Sequence, residues 1–163
     1  MNHNEYQRMF ELETTYWWYV GRRIILADTI HRSLTRPVAH TLGIGRGPGG
    51  NLSVLSRFSK KVMGLDTSPQ ALDYCRSRGW NTVELIQKDG RLNFADGTTD
   101  MVTLLDILEH VADEHPLLRE ISRVLKPDGL LMVTVPAFQF LWSEHDVALH
   151  HCRRYTNQDI LHL

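Results

Sequence analysis

An α/β fold, built on a parallel sheet covered by helices on both faces, is what this 163-residue sequence predicts. Three observations predict it. Short, nearly continuous apolar runs alternate with stretches of helical periodicity. A glycine cluster follows the first apolar run directly, and an acid closes the second. Right-handed crossovers between parallel strands place a ligand beyond the carboxyl ends of the strands, where both features fall.

The elements follow in order. Residues 3–20 read as a helix with an aromatic cluster, Tyr16, Trp17, Trp18 and Tyr19, interrupted at Gly21. A second helix spans 22–33, with Ile24, Ile25, Leu26 and Ile30 as its apolar residues, and Pro37 closes the segment. Residues 1–36 thus form a helical lid or packing segment ahead of a ligand-binding domain at 37–163. Val38 to Ile44 reads as the first strand, 51–58 as a helix and 61–66 as the second strand, ending in Asp66. Ser68 and Pro69 read as an N-cap and first helical residue, opening a helix to about Arg78. Residues 82–87 and 101–105 read as the third and fourth strands. A helix through Leu117, Leu118, Ile121, Val124 and Leu125 stops at Pro127-Asp128-Gly129, and 130–135 reads as the fifth strand.

Composition narrows the function. A formal net charge of -1 gives no global attraction to nucleic acid or an anionic membrane, leaving only a local basic patch at Arg153 and Arg154. No apolar run approaches the roughly 20 residues that cross a bilayer. The N-terminus mixes acids and aromatics where a signal peptide has a clean apolar core, so a cytoplasmic location is expected. Cys75 and Cys152 then read as unbonded thiols rather than a disulfide or a metal pair.

The glycine cluster carries the chemistry. Gly45, Gly47 and Gly50 fit G-x-G-x-x-G at the end of a strand, where glycine permits a tight turn and close approach of a ligand. Asp66 lies about 20 residues on, where an acid accepts hydrogen bonds from ribose hydroxyls. The pair suits either a nicotinamide dinucleotide or S-adenosylmethionine. Pro48 favours the second, because a pyrophosphate cradle needs backbone N–H donors and proline removes one.

Taken together and in order, GIGRGPGGNL, VMGLDTSPQAL, QKDGRLNFADGTTDMVTLLDILEHV and LLREISRVLKPDGLLMVTVPA resemble the motifs of class I S-adenosylmethionine-dependent methyltransferases over nearly the whole chain. YWWYVGRR and LWSEHDVALHHCRRYT are similar to a bacterial subgroup of that family. The resemblance implies a Rossmann-like three-layer sandwich with strand order 3-2-1-4-5, and S-adenosylmethionine as cofactor. It implies that Gly45, Gly47 and Gly49 line the methionine and ribose, that Asp66 holds the ribose hydroxyls with Thr67 beside it, and that Asp89 and Gly90 meet the adenine. Leu105 and Asp106 would border the methionyl part.

On the acceptor side, His110 and His145 are the candidates for acid/base work, and Arg153 and Arg154 for an anionic acceptor. His145 and His150 have a loose metal spacing, but no thiolate or carboxylate pattern completes a set, so no metal is expected. Trp17 and Trp18 read either as a lid or as anchors packing the N-terminal helices on the sheet, the commoner use of tryptophan.

Three departures from the family stand out. Gly43 occupies the place of an acid, Arg46 that of a small residue, and the chain ends at Leu163, two strands short. The fifth strand would then be an edge, covered by the 142–163 tail, paired with a second copy or another partner, or left open in a truncated chain of marginal stability. The leading reading is methyl transfer to a small-molecule or lipid-linked acceptor. The alternatives are a non-catalytic cofactor-binding or interaction module derived from such an enzyme, and, third, a nicotinamide-dependent oxidoreductase.

Overall fold

The computed structural model describes residues 3–45, 47–87 and 89–163. The first apolar run forms β1 (Val38–Ile44), at the centre of a five-stranded sheet. β2 (Ser59–Asp66) and β4 (Thr99–Leu105) flank it, and β3 (Val83–Leu85) and β5 (Leu125–Thr134) are the edges. Every pairing is parallel, giving the order β3-β2-β1-β4-β5 that the resemblance implies.

The carboxyl-terminal halves of the central strands are mostly apolar because both their faces are buried. Leu42, Ile44, Val102 and Leu104 point to one face, and Met101 and Leu105 to the other. On the second face lie α2 (Trp17–Ser33), α3 (Leu52–Leu55) and α4 (Pro69–Ser77), through Leu26, Ile30, Leu52, Leu55 and Leu72. α1 (His3–Leu12) packs on α4, where the rings of Phe10 and Tyr74 stack at 4.8 Å. The first face is covered by α5 (His115–Val124), by Leu92 and Phe94 of the β3–β4 loop, and by Tyr155.

Local chemistry sets several boundaries. Ser68 caps α4, its side chain accepting from the Ala71 amide with Pro69 in the first turn. α3 is shorter than the 51–58 expected, because the Phe58 carbonyl already accepts from the Val38 amide and Ser59 enters the sheet. The N-terminal helices divide at 13–16 rather than at Gly21, which lies inside α2. The chain turns there because Glu13 is drawn inward, 4% exposed, while the Thr15 and Tyr16 amides close on Leu12. β5 begins at Leu125, upstream of the Pro127-Asp128-Gly129 expected to precede it. Proline is tolerated because 126–129 bulge out of register, with Leu125 opposite Thr99 and Leu130 opposite Met101, so Pro127 owes no ladder bond.

Two expectations about packing change. Trp17 and Trp18 are 71% and 51% exposed, so they do not anchor the helices on the sheet. That work falls to Leu26 and Ile30. Among the described residues no strand pairs with the outer edge of β5. The tail, with α6 (Glu144–Ala148) and α7 (Asn157–His162), reaches it only in part. An open cavity of about 840 Å³ remains between Leu131 and Val133 of β5, Leu118 and Ile121 of α5, and Ile160 of α7. No described helix is long and apolar enough to cross a membrane.

Candidate functional site

The glycine loop begins where β1 ends. The Gly45 amide donates to Leu65 at 2.8 Å, and Gly45, Gly47 and Gly49 then take φ of +67°, +51° and +90°. An L side chain is strained in that region, which is why the turn is written in glycine. Asp66, at the end of β2, is buried against this loop. Its Oδ2 accepts from the Gly47 amide at 3.0 Å and its Oδ1 from the Ser68 amide at 2.9 Å. Gly47 and Asp66 are therefore brought together as expected of one site, with Thr67 exposed beside them. The Arg46 departure falls outside the described residues.

A second carboxylate reaches the loop from a place the motifs do not mark. Glu13, just after α1, accepts from the Gly50 amide at 3.1 Å and pairs with Arg78 at 3.2 Å. A Cβ on Gly50 would collide with that carboxylate. Burial raises the Glu13 carboxyl above its ordinary range, against the opposing pull of Arg78 and the Gly50 hydrogen bond. Position 43, where the resembled family has its acid, is the penultimate residue of β1, in register with Gly64 and Thr103. Glu13 thus brings a carboxyl group to the loop, where β1 brings none at Gly43. No spacing rule would have found it, and the only hint was the missing acid itself.

α1 lies across the loop. A Cβ on Gly47 would sit 3.1 Å from the Met9 sulfur, and a Cβ on Gly45 would collide with the side chain of Ile107. Tyr6 is buried near Asp66, and burial, then the Asp66 charge, raises its hydroxyl pKa. The backbone of the turn is bare, and the space over it is taken by Met9 and Ile107.

Leu105 is buried at the end of β4, and Asp106 follows with φ +56°. Left-handed backbone at a residue other than glycine persists only when its surroundings hold it. Here Asp106 pairs with Arg22 of α2 at 2.6 Å and accepts from the Thr134 hydroxyl at 2.9 Å. Its amide also donates to the Thr134 carbonyl. Asp106 is therefore half of a fixed charge pair.

Just after Ile86, whose amide donates to the Asp66 carbonyl at 2.8 Å, come Asp89 and Gly90, following β3. Both are exposed, and Asp89 accepts from the Arg91 amide at 3.0 Å, as in a polar turn. Asp89 lines an open cavity of about 620 Å³ with Leu65, Ile86, Leu92 and Phe94, and no glycine of the loop lines it.

The tail folds back over the sequence that follows β4. Ala137 and Tyr155 bridge, and the Tyr155 hydroxyl donates to the Leu108 carbonyl at 3.0 Å. Burial, then the Glu114 charge, pushes that hydroxyl up to about 12. Arg153 pairs with Glu114, and Arg154 forks onto both oxygens of Asp146 at 2.8 Å. Arg154, and then His151, hold the Asp146 carboxyl well below the usual range. Both arginines are thus committed to internal carboxylates rather than facing an anionic acceptor.

The two candidate histidines separate. His145 is exposed on α6. His110, at the end of a short 3-10 turn (Leu108–His110), meets His151 edge to face at 4.7 Å. Burial, then His151, lowers the His110 pKa. Next to it Glu109 is buried, and burial pushes its carboxyl up to about 8.

Comparison with known proteins fits this geometry. A family model described as a methyltransferase domain matches residues 42–133. The chain is 29% identical over 127 residues to a Mycobacterium tuberculosis protein named "Probable S-adenosylmethionine-dependent methyltransferase", covering 77% of this chain and 45% of that protein. It is 34% identical over 131 residues to a demethylmenaquinone methyltransferase of Corynebacterium kroppenstedtii, covering 72% of this chain and 56% of that one. The chain spans about half the length of these curated relatives. The crystal structure of a SAM-dependent methyltransferase from Aquifex aeolicus shares its fold, with a TM-score of 0.64 at 18% identity, over 91% of this chain and 85% of that one.

Proposed function

The chain belongs to the methyltransferase-domain family, and from that premise we propose that it transfers a methyl group from S-adenosylmethionine to a small-molecule or lipid-linked acceptor. One observation carries the choice of cofactor. Two amides of the glycine loop, Gly47 and Gly50, already donate to carboxylates, Asp66 and Glu13. A pyrophosphate needs those donors unshared and is repelled by the two anions. A ligand with a ribose diol and net positive charge suits both, since a carboxylate has about four acceptor positions and can take hydroxyls besides amides.

The bare turn at Gly45, Gly47 and Gly49 would hold the methionine and ribose once Met9 and Ile107 withdraw. The Asp106–Arg22 pair offers both signs of charge to an amino-acid zwitterion. Asp89 and Gly90 would close on the adenine. S-adenosylmethionine supplies a methyl on a sulfonium for in-line transfer. The protein's part is to hold the two reactants collinear, which alone can be worth about 7–11 kcal/mol of barrier. An acceptor oxygen would meet the Glu109–His110–His151 group rather than the exposed His145. A lipid-linked acceptor is supported by the exposed rings of Trp17 and Trp18, and by the demethylmenaquinone named for one relative.

Calorimetry with S-adenosylmethionine, S-adenosylhomocysteine and NAD tests the reading. We expect about micromolar binding of the first two and silence toward NAD, with Asp66→Ala at least about tenfold weaker. NAD binding alone would make this an oxidoreductase. Silence toward all three would make it a non-catalytic module.

A further inference from the structure

We propose that Glu109, His110 and His151 form a binding site for a divalent transition-metal ion. One ligand atom from each lies within 4.8 Å of the others. Ligands about 2.1 Å from a tetrahedral ion stand about 3.4 Å apart, so the three atoms are within about 1.4 Å of a ligating arrangement, and the exposed His110 ring is the member free to adjust.

The first argument is the state of Glu109. Its side chain is 1% exposed, and its Oε2 has no hydrogen-bond partner. A buried carboxylate oxygen left without a partner is costly, and native proteins satisfy such atoms with a donor or a cation. Asp106, Arg22 and Asp146 act on this carboxyl from farther round the site, and a ring nitrogen of each imidazole lies within 4.8 Å of one of its oxygens.

The second argument is the preparation of His151. Its Nδ1 bonds to Asp146 Oδ1 at 2.9 Å, and Asp146 is itself clamped by Arg154. A carboxylate behind an imidazole fixes the ring and presents the opposite nitrogen, Nε2, which is how metal-ligating histidines are held. The ring is nearly buried, so it has little freedom to turn away.

Two imidazoles and one carboxylate suit a borderline ion such as zinc, iron or cobalt, whereas magnesium and calcium favour all-oxygen sets. The ligands come from two distant segments. Glu109 and His110 follow β4, and His151 is brought over by the tail, where the Cys152 amide donates to the Glu109 carbonyl at 2.6 Å. The loosely spaced pair His145 and His150 does not take part. Three protein ligands leave a position open for water or for an acceptor oxygen. That last role rests on the methyltransferase reading; the metal site itself does not.

Cobalt(II) added to the full chain, stripped of metal by a chelator, is the test. We expect one ion per chain by equilibrium dialysis, visible ligand-field bands, and displacement by zinc. Glu109→Gln and His110→Ala should each weaken cobalt binding at least about tenfold, with His31→Ala unchanged. Thermal scans verify that each variant is folded, and His110→Ala decides if Glu109→Gln is not, because its ring is exposed. Absence of stoichiometric binding, or unchanged affinity in folded His110→Ala, overturns the site. S-adenosylmethionine binding, measured on the same metal-free protein, separates the two readings: its loss would count against the methyltransferase, not the metal site.

Discussion

Glu13 reaches the glycine loop with no motif to mark it. Under the proposed function the loop would meet a cationic ligand, and β1 offers no acid at Gly43. The carboxylate arrives instead from the end of α1, to the Gly50 amide. Glu13→Gln keeps the shape and removes the charge. We expect S-adenosylmethionine affinity to fall about tenfold, or about 1.4 kcal/mol, by calorimetry. Unchanged affinity would leave Glu13 a packing residue alone. Asp66 was legible in the sequence because a strand end and a fixed offset from the glycines single it out. Glu13 was not, because its partner lies across the fold and no local pattern encodes that distance. Asp89 shows the reverse limit: its motif was plain, yet its side chain serves its own turn.

Elements were legible in proportion to their burial. β1 matches its expected bounds because its last four residues are buried at the centre of the sheet and a proline precedes it while a glycine turn follows it. β5 does not, because an edge strand tolerates proline and glycine that would stop a central one. The division of the N-terminal helices was also missed: Gly21 has open space around it and imposes nothing, whereas the inward pull on Glu13 does. α2 contributes Ile30, fully buried, to the same core cluster as Met101 of β4. Ile30→Ala should therefore cost about 2–5 kcal/mol in urea unfolding, in one transition. Two separate transitions would instead establish residues 1–36 as a unit of their own.

Across the whole molecule, the order of strands was readable from the chain of motifs, but the pairing of charges was not. Arg123 is an example. It donates to the Leu92 and Phe94 carbonyls and to Glu120, fastening the β3–β4 loop on α5. Its hydrogen bonds bring the Glu120 carboxyl down from 4.5 to about 2. A lowered folded-state pKa adds stability that is complete above the unfolded value and lost as pH falls through the folded one. Urea midpoints should therefore drop between about pH 4.5 and pH 2, and Glu120→Gln should flatten that part of the slope. A slope unchanged in the variant would place the acid sensitivity elsewhere. The cover over the glycine turn has a consequence of its own. Met9, which fills the space above the loop, and Glu13, which gives it charge, belong to one short stretch at and just after α1. Under the proposed function, a swing of that stretch that bares the glycines would also carry Glu13 off the Gly50 amide, so cover and attraction would be lost and regained together.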